Sequence, residues 1–273
     1  MFADAASTLR SCLSREAWMS EATGKARPQP TAPDELVAQL EQQGIAPGSY
    51  RFQPLDLMRK AIARRMTESF RDVPHFALLG KIEADALLAA RMRLNAQGRG
   101  RISLNDLLIK AAGLALARFP AANASYTERG LIFHRHADIA VAVAMEGGLV
   151  TPILRQAEVK DVWQISTEMK DLAARGRAKR LLPPEYTGGT FSISNLGMYG
   201  VASFGSILNP PQGCILSIGQ AEKQYRFRGD DPYVATVLEV TLTCDHRAVD
   251  GAIGAQWLDA FRQLVESPQA WLD

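Results

Sequence analysis

Cysteine is scarce in this chain: Cys12, Cys214 and Cys244 lie far apart among 273 residues, with no CxxC pair. That spacing excludes a disulfide framework and a cysteine-based zinc site, and points to a reducing compartment, the cytoplasm ahead of the mitochondrial matrix. No run of about 18 apolar residues occurs, so no transmembrane helix is expected. Excess charge is missing too. A formal net charge of +2 gives no general case for nucleic acid or an anionic membrane as partner. No internal repeat is visible. Apolar side chains, in contrast, make up 47% of the sequence, enough for the core of one large domain, or of one domain with a tail, at about 100–200 residues per domain.

Residues 1–33 mix Arg10, Arg15, Lys25 and Arg27 with small residues and end in a proline-rich piece. Asp4, Glu16 and Glu21 argue against an organelle transit peptide, which is poor in acids, so residues 1–53 are expected to be a flexible tail. Within it, Asp34 to Gln43 suits a short helix ended by Gly44. From Leu55 the order improves. Met58, Ile62, Met66 and Phe70 recur every fourth residue, with Arg59, Lys60, Arg64 and Arg65 as a solvated basic face. A helix over Ala84–Ala96 carries Arg91, and Ser103 with Asp106 resembles a capping box opening a helix over Leu104–Phe119. The β-rich half is expected to begin at Leu131. Asp138–Glu146, apolar on both faces, reads as a central strand of a covered sheet. Asp161 caps a helix with Val162, Ile165, Met169 and Leu172 inward; Thr190–Ser194 and Cys214–Ile218 read as strands. Helices and strands alternating in this way imply an α/β domain, a mixed sheet flanked by helices.

The most informative stretch is Thr243-Cys244-Asp245-His246-Arg247-Ala248-Val249-Asp250-Gly251. Before it, Tyr233 to Thr243 is β-branched and alternating; after it, Ile253, Trp257, Leu258, Phe261 and Val265 have helical spacing. His246 therefore falls where a strand gives way to a helix, a place where a general base is held firmly yet faces a cleft. Asp250 falls at the helix N-cap.

Rival readings stay open at this level. His246 and Asp250 alone suit a structural hydrogen-bonder and a cap. Cys244 and His246, two apart on a strand, suit a thiol with its base, or a small buried hydrophobe. His134 and His136 share that spacing and could bind a metal, or edge a solvated strand.

Three segments, Thr190-Phe191-Ser192-Ile193-Ser194-Asn195-Leu196-Gly197-Met198-Tyr199-Gly200, then Asn209-Pro210-Pro211 leading to Cys214–Gly219, then His246-Arg247-Ala248-Val249-Asp250-Gly251, resemble in order and spacing the catalytic domain of the dihydrolipoamide acyltransferases. These E2 components of 2-oxoacid dehydrogenase complexes have the chloramphenicol acetyltransferase fold. Met58–Met66, Val73-Pro74-His75-Phe76 and Gly148-Leu149-Val150-Thr151-Pro152 are similar to the same pattern, so the resemblance covers 54–273.

The resemblance implies acyl exchange, acetyl favoured, between a dihydrolipoyl thiol and coenzyme A. It gives His246 the role of base, Ser194 that of oxyanion donor and Asp250 that of supporting acid, with Arg91, Ser194 and Asn195 toward coenzyme A and no metal. His75 would shape a pocket wall. Ser194 is otherwise a turn former, and Arg91 a surface residue. A homotrimer sharing its sites between subunits is implied, extending to a cubic or dodecahedral core. Residues 1–53 hold neither a lipoyl nor a subunit-binding pattern, so the lipoyl group is expected from a separate lipoyl-bearing protein. The alternatives are a stand-alone transferase with another acceptor, or a scaffold subunit.

Overall fold

The computed structural model describes residues 31–145 and 148–272; Cys12 and the tail expected up to residue 30 lie outside them. The chain divides into two compact units, Met1–Lys60 and Ala61–Asp273. The first holds α1 (Asp34–Gln42), one residue shorter than the spacing predicts, and the boundary falls in sequence within α2 (Leu57–Asp72). No helix of the described residues is long and apolar enough to cross a membrane.

In chain order the second unit continues with β1 (His75–Glu83), α3 (Asp85–Ala96), α4 (Leu104–Arg118), β2 (Ala124–Thr127), β3 (Gly130–Phe133), β4 (Ile139–Val141), β5 (Val143–Met145), β6 (Gly148–Val150), β7 (Ile153–Leu154), α5 (Val162–Arg177), β8 (Phe191–Asn195), β9 (Cys214–Arg228), β10 (Asp231–Asp245), α6 (Gly251–Glu266) and α7 (Gln269–Leu272). Six of the strands form one sheet in the order β1-β10-β9-β8-β4-β7. It is mixed, as expected: β4, β8 and β9 run parallel and the other pairs are antiparallel.

Local signals place the helices well. Ser103 accepts from Asp106 N while the Asp106 carboxylate accepts from Ser103 N, the predicted capping box of α4. Asp161 and Gln164 make the same reciprocal pair at α5. Each such cap contributes about 0.5–2 kcal/mol. α4 is buried beyond its expected apolar face, taking even Lys110 inside, where its ammonium donates to the carbonyls of Glu158 (2.7 Å) and Ala157 (3.5 Å). Burial lowers the Lys110 pKa. At Gly113 a Cβ would stand 2.9 Å from the Ala157 backbone, so this helix packs against the 157–158 loop at a distance only glycine permits.

The strands depart more from expectation. β1 opens the sheet well before Leu131. Its alternation is real, with Phe76, Leu78, Gly80 and Ile82 on one side, but Leu79 on the other is 74% exposed, so the stretch does not read as a uniform apolar run. The single strand expected over Asp138–Glu146 is two. β4 ends at Val141; Ala142 N still donates to Ile193 O (2.9 Å), and Val143 then turns away to pair with Val150 in a separate hairpin. β4 nevertheless lies between β8 and β7, inside the sheet. β9 runs on to Arg228, because β10 continues to pair with it past the point where β8 stops.

Along β10 the even residues Val240, Leu242 and Cys244 face the helices. They share one core with Phe191, Ile193, Leu216 and the aromatics of α6. Trp257 stacks on Phe261 (centroids 5.4 Å apart) and tilts against Phe191 (4.9 Å).

Candidate active site

β10 ends at Asp245 and α6 begins at Gly251, so His246 sits at the predicted junction. Its N–H donates to Pro74 O (3.0 Å) and its ring meets the Phe76 ring edge-on at 4.9 Å. The imidazole is exposed, and neither ring nitrogen has a hydrogen-bond partner among the described residues. Asp250 caps α6 as expected, its Oδ1 accepting from Ile253 N (2.9 Å).

The carboxylate beneath the turn is Asp245, only 5% exposed. Its Oδ1 accepts from Arg247 N (3.0 Å) and Nε (2.9 Å), and its Oδ2 from Arg247 Nη2 (2.8 Å). The guanidinium lies 4.1 Å over the Tyr126 ring. Sequence reasoning missed this cluster. Two opposite charges flanking His246 were a signal for it, whereas nothing local pointed to Tyr126.

Ser194 is half-buried in β8, opposite Ser217 of β9, which is opposite Thr241 of β10. Its hydroxyl has no hydrogen-bond partner among the described residues. The turn after it is built by Asn195, whose Oδ1 accepts from Gly197 N (2.9 Å), and not by Ser194. Asn195 Nδ2 also reaches Asn105 Oδ1 (3.4 Å) in the first turn of α4.

That first turn connects Arg91 to the same region. Arg91 Nε and Asn95 Nδ2 both donate to Ile102 O, each at 3.1 Å, just ahead of the Ser103 cap. The two terminal nitrogens of Arg91 have no partner among the described residues. Arg91, Asn195 and Ser194 are thus linked through residues 102–105.

His246 is not near Ser194. From the Ser194–Ser217–Thr241 row, four more residues of strand lead to Asp245; at about 3.3 Å per residue and about 4.8 Å per strand, Ser194 and Asp245 lie roughly 16 Å apart. They also differ in face: His246 continues the helix-side phase of Leu242 and Cys244, while Ser194 points to the opposite side.

That opposite side is crossed by an irregular strap, residues 200–212. It leaves β8 past Gly219, where a Cβ would stand 1.7 Å from Ala202 O. Ser206 then meets Ser217 (2.6 Å), and the buried Leu208 follows. Leu208 N donates to His75 Nε2 (3.0 Å) and Leu208 O accepts from Ser69 (2.7 Å). His75 Nδ1 must then carry its proton, since it bonds the Val73 carbonyl (2.8 Å). His75 is a strut of this wall. Gln212, at the strap's end, bonds Ser192.

The rival chemistries lose their geometry. Cys244 is fully buried against Cys214, the sulfurs 3.5 Å apart and unbridged. The hydrogen bond to Cys244, together with burial, pushes the Cys214 thiol well up. His134 and His136 go separate ways, to Ser125 (2.8 Å) and Glu158 (2.8 Å).

The model of the 2-oxoacid dehydrogenases acyltransferase (catalytic domain) family matches residues 47–272. Over 233 residues the chain is 46% identical to the dihydrolipoyllysine-residue acetyltransferase component of the pyruvate dehydrogenase complex of Rhizobium meliloti, a match covering 83% of this chain and 52% of that protein. The chain thus spans about half the length of the curated relatives it matches. Azotobacter vinelandii dihydrolipoamide acetyltransferase, studied for the catalytic role of a serine, a histidine and an asparagine, has the same fold, with a TM-score of 0.79 at 26% identity over 88% of this chain and 98% of that one. A structure of the cubic core of the pyruvate dehydrogenase multienzyme complex gives the same figures, a TM-score of 0.79 at 26% identity over 88% and 98%. The family model takes in β8, the strap and the His246 turn alike, and the chain belongs to the acyltransferase catalytic-domain family of the 2-oxoacid dehydrogenases.

Proposed function

We propose that this chain moves an acetyl group between a dihydrolipoyl thiol and coenzyme A, with each active site completed by a neighbouring copy of the same chain. The observation that carries the reading is the separation of its two reactive groups. His246 and Ser194 each present a polar atom without a partner among the described residues at an exposed or half-exposed position, yet roughly 16 Å of sheet and a change of face keep them apart within one chain. The serine, histidine and asparagine studied in the Azotobacter enzyme are spaced along that chain as Ser194, His246 and Asp250 are along this one, with Asp250 in place of asparagine.

In this reading His246 takes the proton of the coenzyme A thiol, whose ordinary pKa of about 8.5 leaves it mostly protonated at neutral pH. The sulfur attacks the thioester carbonyl and a carbon–sulfur bond forms. The carbonyl oxygen gains negative charge, and the Ser194 hydroxyl donates to it. The bond to the dihydrolipoyl sulfur then breaks, and His246 returns the proton to that sulfur. Asp250 fixes the start of α6 behind the turn. Coenzyme A suits the Arg91 region, where the free terminal nitrogens of a guanidinium can meet phosphate oxygens. Arg91, Asn195 and Ser194 would line one end of its path.

A trimer is the assembly that this sharing favours, and trimers packed into a cubic core are its natural extension in the cytoplasm. The lipoyl group reaches the site on a lipoyl-bearing protein. The decisive test mixes inactive His246→Ala and Ser194→Ala subunits under exchange conditions. Activity should return as mixed oligomers form. Its absence despite proven mixing would place both groups in one site of one chain and defeat the reading.

A further inference from the structure

We infer that Arg247 is a positioning residue for His246, acting by locking the single turn that aims the imidazole. The proposal rests on His246 being the base of the reaction proposed above.

The His246 ring has little of its own to hold it. Its nitrogens have no partner among the described residues, the ring is exposed, and it meets the Phe76 ring edge-on. Its direction therefore depends on the backbone at residue 246, which is clamped on both sides. Ahead of the ring, His246 N donates to Pro74 O (3.0 Å). Behind it, Arg247 N donates to Asp245 Oδ1 (3.0 Å), closing an Asx-type turn with His246 at its apex. The Arg247 side chain then folds back over the same carboxylate with Nε (2.9 Å) and Nη2 (2.8 Å), a two-pronged grip that leaves Asp245 one orientation.

The other side of the guanidinium is anchored independently. It lies 4.1 Å over Tyr126 of the β2–β3 hairpin, and Nη1 reaches Asp72 O (3.4 Å) at the end of α2. Asp72 is followed by Val73 and Pro74, so one side chain ties down both the Asx turn and the segment that receives the His246 N–H. Asp245 is buried and needs these donors, and a lysine could give the charge without the planar fork.

The test compares Arg247→Lys, Arg247→Met and, leaving the guanidinium in place, Tyr126→Leu with the parent, using full-length chain in its assembled state. We expect kcat to fall about 10–100-fold in both Arg247 variants and severalfold in Tyr126→Leu, the scale on which an ångström of misplacement acts, with KM for coenzyme A unchanged. Lysine should not rescue. The activity-independent readout is the ring resonance of His246 in chain labelled at its four histidines: it should broaden or split in the variants. A parental kcat in folded Arg247→Lys or Arg247→Met would overturn the proposal, as would an unaltered His246 resonance. If Arg247→Met does not fold, Arg247→Lys and Tyr126→Leu decide by the same criteria. Should His246→Ala keep its activity, the function reading falls alone, because the resonance still reports whether Arg247 orders the ring.

Discussion

The two faces of the main sheet are built on different physics. Toward the helices lie Ile139, Phe191, Ile193, Leu216, Leu242 and Cys244, all within one dry core closed by Trp257 and Phe261. Away from them the same strands present Ser192, Ser194, Ser217, Thr241 and Thr243, covered only in part by the strap, with Leu79 left in solvent. Burial of apolar area makes the first face a source of stability. The second buries polar groups, several of them matched one by one, through Ser192 with Gln212, Ser206 with Ser217, and His75 with Leu208. The Ser194 hydroxyl escapes that matching, as does the buried Thr243 Oγ1, and on the helix side the exposed junction at His246 offers free ring nitrogens while the buried Trp257 Nε1 is also unpartnered among the described residues. Stability and chemistry have been assigned to different residues, and substitutions should separate them.

The sharpest separation is expected at His246. His246→Ala should lower kcat by about 10²–10⁴-fold, the worth of general-base help, while the melting temperature holds, since the ring is exposed and lies edge-on to Phe76. Steady-state kinetics beside calorimetry checks both halves, and a fully active variant would remove His246 from its role. Trp257→Ala is the mirror image. Emptying the centre of the helix-side core should cost about 3–5 kcal/mol in denaturant unfolding while each folded molecule keeps its turnover; a specific loss of kcat would mean that the faces are coupled.

Ser194→Ala comes next, with an expected loss of about 10²–10³-fold in kcat and little change in stability or in KM. Ser206→Ala removes the strap's bond to Ser217 and should cost about 1 kcal/mol, read from urea midpoints. A larger drop in activity than in stability would show that the strap shapes the Ser194 side of the site. The smallest effect should come from a control off the sheet. Burial lowers the His134 pKa, so the folded state takes up a proton less readily than the unfolded chain. Stability should therefore decline as pH drops below about 6.5, the ordinary histidine value, and His134→Gln should flatten that decline. An identical acid limb in parent and variant would show that His134 does not contribute.

Much of this was legible in the chain itself, because the signals are local. The capping box at Ser103, the caps at Asp161 and Asp250 and the strand-to-helix change around His246 each depend on residues within a few positions of one another, and the structure has all of them. Periodicity also located the helix-side core. Where it failed, the competing influence was non-local. β1 escaped notice because one of its faces is left to solvent and strap. The Asp138–Glu146 run broke in two because Val143 found its partner in Val150 and not in β8.

The sequence by itself determined the family's motif residues, the helices and the apolar face, since these follow from side-chain type and spacing along a few turns of chain. Only the tertiary structure decided that Arg247 grips Asp245 over Tyr126, that the strap hangs on His75, and that Arg91 meets the β8 end through residues 102–105. It also decided that Ser194 and His246 stand apart, a matter of strand order and register. Which strand lies beside which is set by packing across the whole domain, and no window of sequence contains that information.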